Sequence, residues 1–229
     1  MKLKCAIFDF DGTLFDSMFI WDSAGEVYLR SLGVEPKPTL REEVRAMSLH
    51  QSACHFRQEY AIPFSVEAIM EGINRTVEEF YLHTIQPKPG AAAFLKQLNA
   101  QGVRMCIATA SERSPIEAAL KRCGMEEYFE AIFTCSNVGH GKDEPVIFRR
   151  AMAHFGADRS NTVIFEDALH ALQTAWADGF TVAAVYDPSE ERQAQIRHLS
   201  DCFIPDFEHT EDFWRMVHED ENSVVHRRK

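Results

Sequence analysis

The chain has 229 residues, 45% of them hydrophobic and 26% charged, and carries a formal net charge of −11. That length corresponds to about one and a half domains, so a single core with a substantial insertion is expected, and the apolar share is enough to fill it. The acidic balance argues against a nucleic-acid binder, which needs a basic face, but leaves room for a small anionic substrate where a bound divalent cation reverses the local sign.

Met-Lys-Leu-Lys leads directly into an apolar run over residues 4–8, with no long hydrophobic segment and no cleavage site. No membrane partner is therefore expected, and the location is read as cytoplasmic. The six cysteines, at 5, 54, 106, 123, 135 and 202, form no C-x-x-C pair and are expected to be reduced. The run over 4–8 reads as a strand and ends in Asp9-Phe10-Asp11-Gly12-Thr13-Leu14. Open α/β sheets place ligands at the carboxyl ends of their strands, where Asp9 and Asp11 would stand. Two carboxylates so close repel each other unless a cation lies between them or one keeps a proton.

Residues 16–87 contain no convincing strand. They hold amphipathic stretches, among them Ile20, Ala24 and Val27, then Val66, Ile69, Ile73 and Val77. Loops at 33–38 and 61–63 punctuate them, and Pro87-Lys88-Pro89-Gly90 reads as the hinge by which the chain returns. A helix follows, with Ala91, Phe94, Leu95 and Leu98 on one face before Gly102. The strand 103–108 then runs into Thr109-Ala110-Ser111, and a helix carries Ile116, Ala119, Leu120 and Cys123. Further strands are read at 131–134, 162–165, 181–185 and, more weakly, 202–204, the fourth of the series ending in Glu166-Asp167. This alternation predicts an α/β fold: a Rossmann-like parallel sheet with helices on both faces, formed by 1–15 and 88–217. The all-helical insertion is 16–87, and 218–229 is read as a polar C-terminal tail.

The Asp-Phe-Asp-Gly-Thr-Leu run resembles the first motif of the haloacid dehalogenase-like hydrolase superfamily, most of whose members are phosphatases. Met105–Ser111 is similar to the second motif, a strand ending in Ser or Thr. Gly141-Lys142-Asp143-Glu144-Pro145-Val146-Ile147-Phe148 is similar to the third, a Lys beginning a helix, although relatives commonly read Gly-Lys-Pro-x-Pro-Asp. Thr162–Ala168 is similar to the fourth, a strand ending in acids. The resemblance implies that 16–87 is a helical cap that closes over the site, and that Asp9 is the nucleophile and forms an aspartyl-phosphate. It implies that Asp11 protonates the leaving oxygen and then activates water. It also implies a Mg²⁺ ion held by Asp9, the Asp11 backbone carbonyl and Asp167, with Glu166 orienting a metal-bound water from outside the ligand set. Thr109 would donate to a phosphoryl oxygen, assisted by N–H groups of Ala110 and Ser111, and Lys142 would neutralise the transferring group.

Each residue also has a plainer reading. Glu166-Asp167 suits a helix amino-terminal cap, Thr is common at strand ends, and a lone Lys is ordinarily a solvated surface residue. The four motifs in order favour function. The ten histidines show no zinc spacing. His50, His55 and His83 in the cap and Arg113 after the second motif read as surface residues, and Trp21 and Phe19 as equally suited to packing or to lining a pocket. The expected activity is Mg²⁺-dependent hydrolysis of a small phosphorylated metabolite, of sugar phosphate, phosphoglycolate or nucleotide type. The alternative is a phosphohexomutase similar to β-phosphoglucomutase, opposed by Trp21 and Leu49 where such mutases carry His and Arg. A catalytically inactive binding or regulatory module would have lost at least one of Asp9, Asp11, Lys142 or Asp167. A dehalogenase would lack Asp11, and a phosphonoacetaldehyde hydrolase would need a cap lysine, for which only Lys37 is present. Oligomeric state is open, a monomer or weak dimer.

Overall fold

A computed structural model describes residues 2–44 and 47–219, and these divide into two units: the chain up to Asp16 and from Gln86 onward, and Ser17–Ile85. In the first unit the strands β1 (Cys5–Phe8) and β2 (Phe15–Asp16) precede the excursion. The second unit consists of α1 (Phe19–Ser31), α2 (Leu40–Val44), α3 (Leu49–Glu59) and α4 (Val66–His83). The chain returns through β3 (Gln86–Pro87), α5 (Ala91–Ala100), β4 (Arg104–Thr109), α6 (Arg113–Arg122), β5 (Ala131–Thr134), α7 (Cys135–Val138) and α8 (Val146–His154). It ends with β6 (Thr162–Glu166), α9 (Leu169–Ala177), β7 (Thr181–Val185), α10 (Gln193–Leu199), β8 (Cys202–Ile204) and α11 (Glu211–Glu219). Of the tail read from His218, two residues close α11 and 220–229 lie outside the described residues.

Six of the strands form one sheet, in the order β5-β4-β1-β6-β7-β8, with every pair parallel. Alternation sorts their side chains, because successive residues of a strand point to opposite faces. Cys5, Ile7, Cys106, Ala108, Ile164, Val182 and Ala184 pack with Ile147 and Phe148 of α8 and Leu172 and Ala175 of α9. On the other face Phe8 stacks on Phe165 at 4.2 Å, and both meet Phe94 of α5 edge-on. Phe213 of α11 closes this cluster at 5.3 Å from Phe165. Covering both faces explains why the strands read as unbroken apolar runs, as parallel sheets require. Cys5 and Cys106 are core thiols pushed up by burial, Cys5 to about 12, and none of the six cysteines is disulfide-bonded.

In the helical unit, Ser48 and Ser65 cap α3 and α4 by accepting from backbone N–H groups, Ser48 with Gln51 in a reciprocal capping box. Tyr28 of α1 lies against Gly72 of α4 so closely that a Cβ there would meet its ring at 2.3 Å. His55 pairs with Glu43 at 2.9 Å, His83 with Glu79 at 3.3 Å and Lys37 with Glu59 at 2.7 Å, so these groups have local partners.

β2 and β3 form a separate antiparallel ribbon, Phe15 opposite Pro87 and Asp16 opposite Gln86. Directly after it Gly90 begins α5 with φ +78°, and a Cβ at that position would lie 2.4 Å from the backbone carbon of Phe207. Neither the conformation nor the contact accepts a side chain, and backbone cannot swing aside. Gly90→Ala is expected to cost at least about 2 kcal/mol and lower Tm by roughly 4–8 °C in a chain of this size; thermal unfolding of the variant measures this.

Candidate active site

The carboxyl ends of β1, β4 and β6 lie side by side, because Phe8 is in register with both Ile107 and Phe165. Asp9 follows β1, its N–H still donating to Phe165 at 2.9 Å. Thr109 ends β4, Glu166 ends β6, and Asp167 comes next. The sheet therefore delivers Asp9, Thr109, Glu166 and Asp167, all buried, to one edge from three separate stretches of sequence.

Lys142 joins them from the turn before α8. Glu144 N–H closes this turn on the Gly141 carbonyl, and Pro145 caps the helix, so Lys142 precedes the helix instead of opening it as the motif resemblance implied. The reason is local: Pro145 has no N–H and suits a helix start, which leaves the three residues before it in the turn. Lys142 is buried and donates to Asp9 Oδ1 and, at 2.7 Å, to Glu166 Oε1. Glu166 Oε2 accepts from the N–H groups of Asp167 (2.8 Å) and Ala168 (3.0 Å). Glu166 therefore acts as the capping acid of the turn and as a partner of Lys142. The Thr13 hydroxyl donates to Asp167 Oδ1 at 2.8 Å, a contact that sequence reasoning did not isolate because Thr13 read as part of a turn.

Ser111 Oγ donates to Asp11 Oδ2 at 2.6 Å. The Ser111 N–H, expected to serve an anion, donates to Thr109 Oγ1 at 3.0 Å. Ala110, the other expected contributor, lies between them in the same turn. Arg113 is tied into the fold through the Ile132 carbonyl and Glu117. Within the helical unit Phe19 packs edge-on against Phe80.

Asp9, Glu166 and Asp167 each offer an oxygen, and these oxygens lie within 4.8 Å of one another. Three buried carboxylates face one ammonium. Burial is the main cause that pushes the Asp9 carboxyl up to about 7, against the lowering pull of Lys142 and with the help of Glu166 and Asp11. Burial likewise lifts Asp167 well above the ordinary range, with Glu166 and Asp9 adding to it. Burial alone would depress Lys142, but Asp9 and Glu166 outweigh it and hold the amine charged. An all-oxygen donor set with surplus negative charge fits a hard divalent cation. Glu166 is engaged at both oxygens, whereas the contacts of Asp9 with Lys142 and of Asp167 with Thr13 each use Oδ1 and leave the second carboxylate oxygen for a cation.

The family model for haloacid dehalogenase-like hydrolases matches residues 6–185, most of the chain, and the chain belongs to that family. The probable pseudouridine-5'-phosphatase of Drosophila melanogaster is 30% identical over 86% of this chain and 89% of its own length. Hexitol phosphatase A of Escherichia coli is 29% identical over 83% and 86%. Among solved structures, one assigned to a β-phosphoglucomutase from Thermotoga maritima superposes with a TM-score of 0.80 at 16% identity, covering 97% of this chain and all of that one. CbbY from Rhodobacter sphaeroides in complex with phosphate gives 0.69 at 20% identity over 91% and 96%. The helical unit and the six-stranded parallel sheet are thus the architecture of these neighbours. No helix among the described residues is long and apolar enough to cross a membrane.

Proposed function

We propose that the protein is a Mg²⁺-dependent phosphomonoester phosphatase acting on a small cytosolic metabolite through an aspartyl-phosphate on Asp9. The observation that carries this reading is the buried cluster of Asp9, Lys142, Glu166 and Asp167 at the end of β1 and β6. The relatives named as phosphatases of a nucleotide-type compound and of hexitol phosphates support a small phosphorylated substrate.

Asp9 Oδ attacks phosphorus, and Asp11, steadied by Ser111, protonates the departing oxygen and then takes a proton from the water that hydrolyses the acyl phosphate. Lys142 holds Asp9 in place and faces the charge that spreads over the phosphoryl oxygens; the Thr109 hydroxyl and the turn through Ala110 and Ser111 give it polar partners. Asp9, Asp167 and the Asp11 carbonyl would hold the Mg²⁺ ion, which supplies positive charge to the phosphoryl oxygens when bound. Glu166 keeps Lys142 and the Asp167 turn in position. The cap is assigned to 16–87, and we favour a monomer or weak dimer.

The test is release of phosphate from a panel of metabolite esters with Mg²⁺, scored together with isomerised product. EDTA is expected to silence the enzyme, Mg²⁺ to restore it, and Ca²⁺ to restore it poorly because its looser coordination displaces the nucleophile. Full activity in EDTA would remove the metal from this reading. Formation of glucose 6-phosphate from β-glucose 1-phosphate faster than free phosphate would favour the mutase instead. No turnover on any ester would favour a binding module.

A further inference from the structure

Lys88 stands where the chain re-enters the α/β unit, yet its side chain is buried. Its Nζ donates to the Tyr186 carbonyl at 2.5 Å and lies 2.9 Å from Asp187 Oδ2. Asp187, also buried, comes two residues after β7, and its other carboxylate oxygen accepts from Ser189 N–H (2.9 Å) and Ser189 Oγ (2.6 Å). The Asp187 carbonyl accepts from Gln193 Nε2 at 2.8 Å. Asp187 is thus a fixed anchor on the loop after β7. A lysine in a hinge ordinarily keeps its ammonium in water, and burying it needs a partner of opposite charge. Pairing the ribbon itself calls for no charge at all.

From Lys88 a short series of bonds leads to Asp11. The Lys88 N–H donates to the Leu14 carbonyl at 2.8 Å, and Pro87 is opposite Phe15 in the ribbon. Leu14 and Phe15 both donate to the Phe10 carbonyl at 3.0 Å, Gly12 donates to Phe15 at 3.0 Å, and Asp11 bridges to Phe15. The turn that bears Asp11 is therefore closed on Phe15, and Phe15 is held by the segment that Lys88 pins.

We propose that the Lys88–Asp187 pair is a positioning device for Asp11, tying the ribbon and its turn to the loop after β7 so that the Asp11 carboxyl keeps the place from which it serves the leaving oxygen. This rests on the reading of Asp11 as proton donor. Ser111 steadies the same carboxylate from the turn after β4, so Asp11 is held from two sides.

The experiment compares two leaving groups. An alkyl phosphate needs protonation of its departing oxygen, whereas p-nitrophenyl phosphate releases a stable anion without it. Lys88→Met is expected to lower kcat on the alkyl ester at least tenfold more than on the aryl ester, with little change in KM. Asp187→Asn, which keeps acceptors for Ser189, is expected to act in the same direction more weakly. If Lys88→Met does not fold, Lys88→Met/Asp187→Asn, with no unpaired charge, is expected to show the same selective loss. An equal loss on both esters in the folded variants, or no loss, overturns the proposal. A wild-type protein inactive on both esters would instead sink the phosphatase reading, so the two failures are told apart.

Discussion

Asp9→Asn is expected to abolish turnover while making the metal-free protein more stable at neutral pH. The amide keeps the shape and the acceptor for Lys142 but is a poor nucleophile, so the loss should exceed about a thousandfold, a barrier increase of roughly 4 kcal/mol. The gain in stability follows from the crowding of carboxylates. In the unfolded chain Asp9 titrates near about 4; in the fold burial pushes it up to about 7. Between those values the folded state holds a proton that the unfolded state has lost, so stability falls as pH rises. Asn has no proton to lose, and its melting temperature in EDTA should vary less from pH 4 to 7 than that of the parent. Retention of a tenth of the activity would sink Asp9 as nucleophile, and parallel pH profiles of Tm would remove the electrostatic account.

Lys142→Met is expected to damage both activity and stability. Met matches the length of the aliphatic stem but leaves Asp9, Glu166 and Asp167, with oxygens within 4.8 Å, without their ammonium. Loss of one charge-stabilising donor costs about 10²–10³ in kcat. Breaking a buried ion pair from one side costs about 3–5 kcal/mol, which for a chain of this size lowers Tm by roughly 6–20 °C. Acid should narrow that gap as the carboxylates protonate, and Mg²⁺ should recover part of the Tm but not the rate. An unchanged Tm in EDTA together with kcat within threefold of the parent would show that Lys142 is dispensable there.

Most of the sheet was legible because parallel strands covered on both faces are short apolar runs, and those at 131–134, 181–185 and 202–204 match β5, β7 and β8 residue for residue. The ribbon of β2 and β3 was not, since two residues carry no periodicity and one of these strands contains Pro87. The aspartates, Thr109 and Lys142 could be read from motif spacing; the sheet brings Asp9, Thr109, Glu166 and Asp167 to one edge, and the turn before α8 adds Lys142. What spacing could not convey was the division of labour among polar contacts. The two oxygens of Glu166 serve Lys142 and two amides, and Thr13 holds Asp167 across 154 positions of sequence. Lys88 read as hinge filler because nothing near it in the chain announces Asp187, and long-range ion pairs have no local signature.

The same two-residue ribbon has a consequence for how such a chain can change over evolutionary time. Asp16 and Gln86 are neighbours across an antiparallel pair, so the sixty-nine residues from Ser17 to Ile85 leave and return through one narrow doorway. Sequence inserted at a doorway whose posts are already paired adds little closure entropy to the α/β unit, whatever its length, since that entropy grows only with the logarithm of loop length. Drift, lengthening or wholesale exchange between those posts is therefore nearly free for the fold that bears Asp9 and Lys142. Selection can rewrite one part of the gene while the other stands still.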